Sequence, residues 1–237
     1  MLTLVNPLNG VFGEAWQLYR AHWAHFTSIA LVVFLALAAI GIVLGFLLGD
    51  FGVFLGWLVS VAGTFWLQGT LIEAVNDVRD GRADLSLSDT FGRVFPKLGT
   101  IVVAGVMLAI ALAIGFALLI VPGLILMTIW IAVIPAIVLE NRGIGESFGR
   151  SRELVRGNGW NVFGAIVLTI ALLIAVWLVA ALLLTPLDAW LAALVHQIVW
   201  AVVVAPYVVA IWALIYFRLR DAKEPAVAPG PAPEPAA

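Results

Sequence analysis

Six predominantly apolar runs punctuate the chain, near 26–49, 51–73, 98–120, 122–140, 160–184 and 191–217. A helix crosses a bilayer core with roughly 20 apolar residues, so each run predicts one membrane span. The breaks between runs alternate in character. Short turns follow the first, third and fifth runs: Gly49-Asp50, Val121-Pro122-Gly123 and residues 184–189. Longer polar stretches follow the second and fourth. Pro122 and Pro186 suit first-turn positions of the helices that come next. The expected fold is all-α, a polytopic membrane helical bundle of six transmembrane helices. Residues 1–223 form its single transmembrane domain, and 224–237 make a Pro/Ala-rich disordered tail.

A second pattern lies in the polar segments before the first, third and fifth runs. Phe12, Trp16, Tyr19, Trp23 and Phe26 recur at steps of four, three, four and three, which places them on one face of a helix. The segment before the third run carries Phe91, Val94, Phe95 and Leu98 on one face, and that before the fifth carries Ile144, Phe148 and Val155. Each segment also holds an acid, a small residue and an aromatic in succession: Glu14-Ala15-Trp16, Asp89-Thr90-Phe91 and Glu146-Ser147-Phe148. Two copies extend to an arginine, giving Asp89/Arg93 and Glu146/Arg150 at the i, i+4 spacing that pairs charges on a helix. The chain therefore reads as three units, each an amphipathic helix followed by a hairpin of spans. The apolar faces are buried either at the headgroup boundary or against the ends of the bundle.

Glycines mark where helices approach closely. Gly41, Gly45 and Gly49 stand at four-residue steps, and Gly52, Gly56, Ser60, Thr64 and Gln68 continue the series after the turn. Such ladders let backbones touch where lipid supplies no hydrophobic drive between helices. They predict a tight hairpin between spans one and two, with dimerisation as the other use of the same surface. A weaker ladder runs through Gly105, Ala109, Ala113 and Ala117. Pro135 and Pro206 fall inside the fourth and sixth runs and predict bends there.

Composition agrees with this solvent: 64% of residues are hydrophobic, 11% are charged, and the mean hydropathy is +1.13. Those figures leave no room for a separate soluble domain. The 12 Lys and Arg fall before the first run, between the second and third, between the fourth and fifth, and after the sixth. Positive charge stays cytoplasmic, so both termini of a multi-pass protein are expected there; high Arg and Ala with only two Lys suggests a GC-rich prokaryote, and so its cytoplasmic membrane. No basic residue precedes Arg20, which argues against a cleavable signal. Arg150, Arg152 and Arg156 form a cluster that either contacts anionic lipid headgroups or serves only to fix topology.

Candidate chemistry is sparse. There is no cysteine, hence no disulfide or thiolate metal site. His22 and His25 lack the carboxylate pairing of a metal site and suit an interfacial place. No nucleophile elbow, Walker loop or dinucleotide fingerprint occurs, and Asp80–Asp84 reads as a turn. Glu73 and Glu140 fall at cytoplasmic ends of spans, and Asp50 and Asp188 at outer turns. Gln68 and His196 lie at opposite depths and should not meet, while the hydroxyls of Thr64 and Thr169 return to their own helices. No cofactor, metal or nucleic acid is implied; membrane lipid and other membrane proteins are the expected partners.

Residues 121–164, with Pro122-Gly123, Trp130, Pro135, Leu139-Glu140, Ser147, Ser151, the stretch Glu153–Asn158 and Trp160, resemble the signature of a prokaryotic six-span family. It is the glycerophosphoryl diester phosphodiesterase membrane domain family, related to YciC-like membrane proteins. The exit of the last run, 215–224, is similar as well. The resemblance covers about 85–223 and implies topology more than activity. In enzymatic members a soluble phosphodiesterase domain is fused to the membrane part, and none is expected here, so no catalytic residues carry over. Three functions stay open: a non-enzymatic accessory or interaction protein, a transporter or channel for a lipid-like or uncharged solute, and a lipid-modifying enzyme.

Overall fold

The computed structural model describes residues 6–79 and 81–224; the predicted tail beyond Glu224 lies outside them. Those residues are all-helical, without strands. In order the helices are α1 (Val11–Ala21), α2 (Trp23–Val78), α3 (Leu87–Val94), α4 (Leu98–Leu118), α5 (Ile120–Ile129), α6 (Val133–Glu140), α7 (Ile144–Val155), α8 (Gly159–Leu184), α9 (Ala189–Val199) and α10 (Ala205–Lys223). Five helical stretches, three of which join more than one of these helices, are long and apolar enough to cross a membrane, one of them the whole of α2. Apolar side chains all round a helix suit a solvent that cannot hydrogen-bond, where only intra-helical pairing satisfies the backbone.

The first two apolar runs share α2, which breaks once, at Gly49 (φ 58, ψ −137). That conformation belongs to glycine because a Cβ would clash. The two halves fold back on each other. A Cβ on Gly56 would sit 3.1 Å from the Cα of Gly41, and one on Gly52 would overlap the Leu44 carbonyl oxygen at 1.8 Å. Farther along, the Leu37 side chain fills the space beside Gly63. The hairpin of α4 and α5 closes differently from the expected ladder. Gly115 meets Gly123 there, a Cβ on Gly115 coming within 3.1 Å of the Gly123 Cα, while Gly105 receives the ring of Phe65.

Two turns also sit elsewhere than expected. The chain reverses at the extended residue Leu119 (φ −165, ψ 154), so Val121-Pro122-Gly123 lies within the first turn of α5. Pro186 precedes the N-cap Asp188 rather than entering α9. In both cases the residue before the proline stays helical, Val121 within α5 and Thr185 in the right-handed region (φ −55, ψ −31), so neither proline marks the boundary itself. At Pro206 the helix widens into a π-helical turn, Trp200–Val204. The expected bend at Pro135 becomes a full interruption at 130–132, between α5 and α6.

Side chains pack unevenly along the bundle. Phe26, Leu71, Ile137, Leu214 and Phe217, toward the ends of α2, α6 and α10 nearest the basic residues, are fully buried together with Leu154 of α7. Toward the other end the surface is apolar and uncovered, with Phe46 89% and Leu182 72% exposed. The molecule thus has a close-packed charged end and splayed apolar arms. Gly52→Ala is expected to lower stability in detergent by about 1–3 kcal/mol, because backbone must move. Gly164→Ala, with nothing within 4 Å, should leave it unchanged or higher; thermal melts of the two variants decide.

Candidate functional site

The charged end is built from α1 and α3, packed on the long helices α10 and α2, and from α7, packed on α6 at the end of the Ile120–Glu140 stretch. In all three the small residue of the acid–small–aromatic triplet is wholly buried: Ala15, Thr90 and Ser147 are each 0% exposed. The aromatic meets an aromatic of the long helix. Phe91 lies 5.4 Å from Trp66 on α2, Phe148 lies 5.2 Å from Trp130 between α5 and α6, and Trp16 lies 5.8 Å from Tyr207 on α10. An ion pair accompanies each contact: Arg93 with Glu73 at 3.3 Å, Arg150 with Glu140 at 2.9 Å, and Glu14 with Arg218. Because α1 docks on α10, the series closes on itself.

The anticipated i, i+4 pairs do not form. Asp89 instead accepts from the Ser86 hydroxyl at 2.6 Å, and its own N–H donates to Ser86 Oγ, capping α3. Glu146 accepts the Gly143 N–H at 3.2 Å at the start of α7. At the start of α7 the acid itself satisfies an orphan N–H, and at the start of α3 the Ser86 hydroxyl does so while holding Asp89, which leaves both arginines for longer reaches.

Arg150 is the most heavily engaged of them. Its Nε donates to both oxygens of Glu140, at 3.0 and 2.9 Å, while its other nitrogens reach Glu153 at 3.3 Å and Glu224 at 2.6 Å. Glu140 also accepts from Arg142 Nε at 2.5 Å and the Tyr216 hydroxyl at 2.8 Å. Burial works against the charge on Arg150, but its hydrogen bonds to Glu224 and Glu140 more than reverse this and push its pKa above the ordinary arginine value. Its side chain is 6% exposed. Arg150 is therefore unavailable to headgroups, a correction to the expected cluster. Arg152 and Arg156 remain exposed and form no side-chain hydrogen bond or ion pair among the described residues.

The aromatic stripe is divided as well. Helix α1 ends at Ala21, and His22 (φ −121, ψ 28) redirects the chain before α2. Tyr19 and Phe26 consequently turn inward and stack 6.1 Å apart, while Trp16 and Trp23 are 51% and 59% exposed. The buried face of α1 is Val11, Ala15 and Tyr19, with Phe12 partly covered and its carbonyl accepting from the Tyr207 hydroxyl at 3.3 Å. Of the glycines, Gly41 faces Gly56, Gly45 lies beside Gly52 and Val53, and Gly49 makes the turn.

Ser151 carries a role that no spacing announced. Where α5 and α6 separate, its Oγ accepts the Ala132 N–H at 3.1 Å and donates to the Ile129 carbonyl at 2.7 Å. One hydroxyl replaces backbone bonds lost at the break, where an unpaired group would be costly. Glu224 and Tyr216 escaped notice for a similar reason, since their partners stand 74 and 76 residues away.

Gln68 and His196 stay apart, Gln68 beside Trp130 and Trp212, His196 stacked on Trp200 at 6.0 Å. The hydroxyls of Thr64 and Thr169 donate to Ser60 and Ala165 carbonyls on their own helices. No family model, curated protein or solved structure matches the chain. Arg150→Met should cost about 3 kcal/mol by leaving buried acid without its main partner, and Glu140→Leu/Arg150→Met should recover part of that. Chemical or thermal unfolding in detergent measures both.

Proposed function

We propose that this chain is a polytopic protein of a prokaryotic cytoplasmic membrane that crosses it six times, with both termini and the charged end in the cytoplasm. In this reading α1, α3 and α7 form a collar at the inner leaflet. The observation that carries it is the placement of all 12 basic residues outside the apolar runs and on the same alternate connections. The six-span family resemblance supports the same topology.

Within that frame the protein acts as a non-enzymatic accessory or interaction component of the membrane. Its acids and bases favour this role by what they do: Glu14, Glu73, Arg93, Glu140, Arg150 and Arg218 tie helices to one another. Groups so paired supply rigidity rather than proton transfer.

A specific feature favours a second reading, carriage of a lipid-like or uncharged solute. A crevice of about 810 Å³ opens between α2 and the π-helical turn, with Ser60, Thr64 and Gln197 on its wall. Pro206 has no N–H to return to the turn before it, so a backbone carbonyl there lacks its usual helical donor.

The natural absence of cysteine makes topology directly testable. Asp50→Cys and Asp188→Cys are expected to react with an impermeant maleimide in intact cells, and Arg152→Cys only after permeabilisation. Reaction of position 152 together with 50 and 188 in intact cells rejects the topology. Saturable uptake of an uncharged solute by reconstituted liposomes would put the second reading first.

A further inference from the structure

Beside the charged end, α5 and the start of α8 enclose a lateral groove of about 540 Å³, within the roughly 300–1,000 Å³ usual for small-molecule sites. Its wall along α5 is apolar from Val121 through Leu124 and Ile125 to Ile129 save for Thr128, whose hydroxyl donates to the Leu124 carbonyl of its own helix. At 1.5 Å per residue that wall is about 12 Å long. Its floor at the charged end changes character. Asn158 and Asn161 line it there, joined by one weak hydrogen bond at 3.4 Å that leaves the Asn158 amide protons and the Asn161 carbonyl oxygen unused.

Two cations stand at that same end. Arg156 lies between Val155 and Gly157, both of which line the groove, and Arg152 is one turn earlier on α7. Both are exposed and, among the described residues, have no carboxylate partner. Every acid nearby in sequence is already committed: Glu153 and Glu140 to Arg150, Glu146 to Gly143. Trp160, 85% exposed, also lines the groove, and tryptophan at such a place favours the level of lipid headgroups.

We infer that this groove is a binding site for one anionic phospholipid, its acyl chain along α5 and its phosphate held by Arg152, Arg156 and the Asn158 amide. The inference rests on the membrane orientation proposed above, which puts this end at the inner leaflet. An uncharged lipid would fill the apolar wall and leave both cations unanswered. An anionic headgroup satisfies both features at once, each arginine near an anionic surface contributing on the order of 1 kcal/mol.

The test uses the purified full-length chain in detergent, titrated with phosphatidylglycerol or phosphatidylcholine and read by native mass spectrometry. One phosphatidylglycerol per chain should saturate first, with phosphatidylcholine at least about tenfold weaker for the two arginines together. Arg152→Gln and Arg156→Gln, both surface changes, should each weaken retention by about fivefold. Ile125→Trp, which narrows the groove at an exposed position, should remove the saturable site while the melting profile stays native. Equal retention of the two lipids, or unchanged retention in all three variants, overturns the site. Labelling of position 152 from outside the cell, with phosphatidylglycerol still retained, would instead overturn the orientation and leave the groove standing.

Discussion

The rest of the architecture depends on how each short helix is held against a long one. A helix of 8 to 12 residues such as α1, α3 or α7 is marginal alone and needs tertiary packing to persist. Here each obtains it in the same way. A residue without bulk, Ala15, Thr90 or Ser147, allows close approach; an aromatic beside it meets an aromatic on the long helix; an ion pair fixes the register. The exposed member of these pairs, Glu14 with Arg218, contributes little energy by itself. Arg150 differs, because its buried guanidinium makes the Glu140 contact costly to break.

Docking of α1 on α10 joins the first and last of the described helices and turns three successive units into a closed arrangement. Closure also explains where packing is dense. The ends of the long helices near the collar are clamped, and their apolar side chains vanish into a shared core. Their far ends touch mainly their own hairpin partners and keep large apolar surfaces uncovered, with crevices between them. In the proposed bilayer those surfaces are already in their preferred solvent, so nothing forces them together. Function is then expected at lateral openings rather than in the interior.

Much of this was legible in the residues. Long apolar runs announced long helices, and the glycine steps on either side of Gly49 announced the close approach of the two halves of α2. The triplet motif marked three helices that dock alike. What stayed hidden has a common physical origin. The redirection at His22 involves neither glycine nor proline, so the aromatic spacing read as one continuous face. Spacing on a single helix suggested Asp89/Arg93 and Glu146/Arg150, but the helix starts engage both acids, Asp89 through the capping Ser86 hydroxyl and Glu146 through the Gly143 N–H, and the arginines went to distant partners. Ser151 rescues a break 19 to 22 residues away, and no periodicity in a single chain encodes that distance.

The claim that the three collar helices are equivalent, and that the first closes the series on the last, is tested most directly by cysteine cross-linking in a chain that has no cysteine of its own. The pairs are Trp16→Cys with Tyr207→Cys, Phe91→Cys with Trp66→Cys, and Phe148→Cys with Trp130→Cys. The account predicts that a short bifunctional maleimide links all three pairs within single chains in native membranes. Linkage of the latter two pairs with none between positions 16 and 207 would show an open row of units and contradict it.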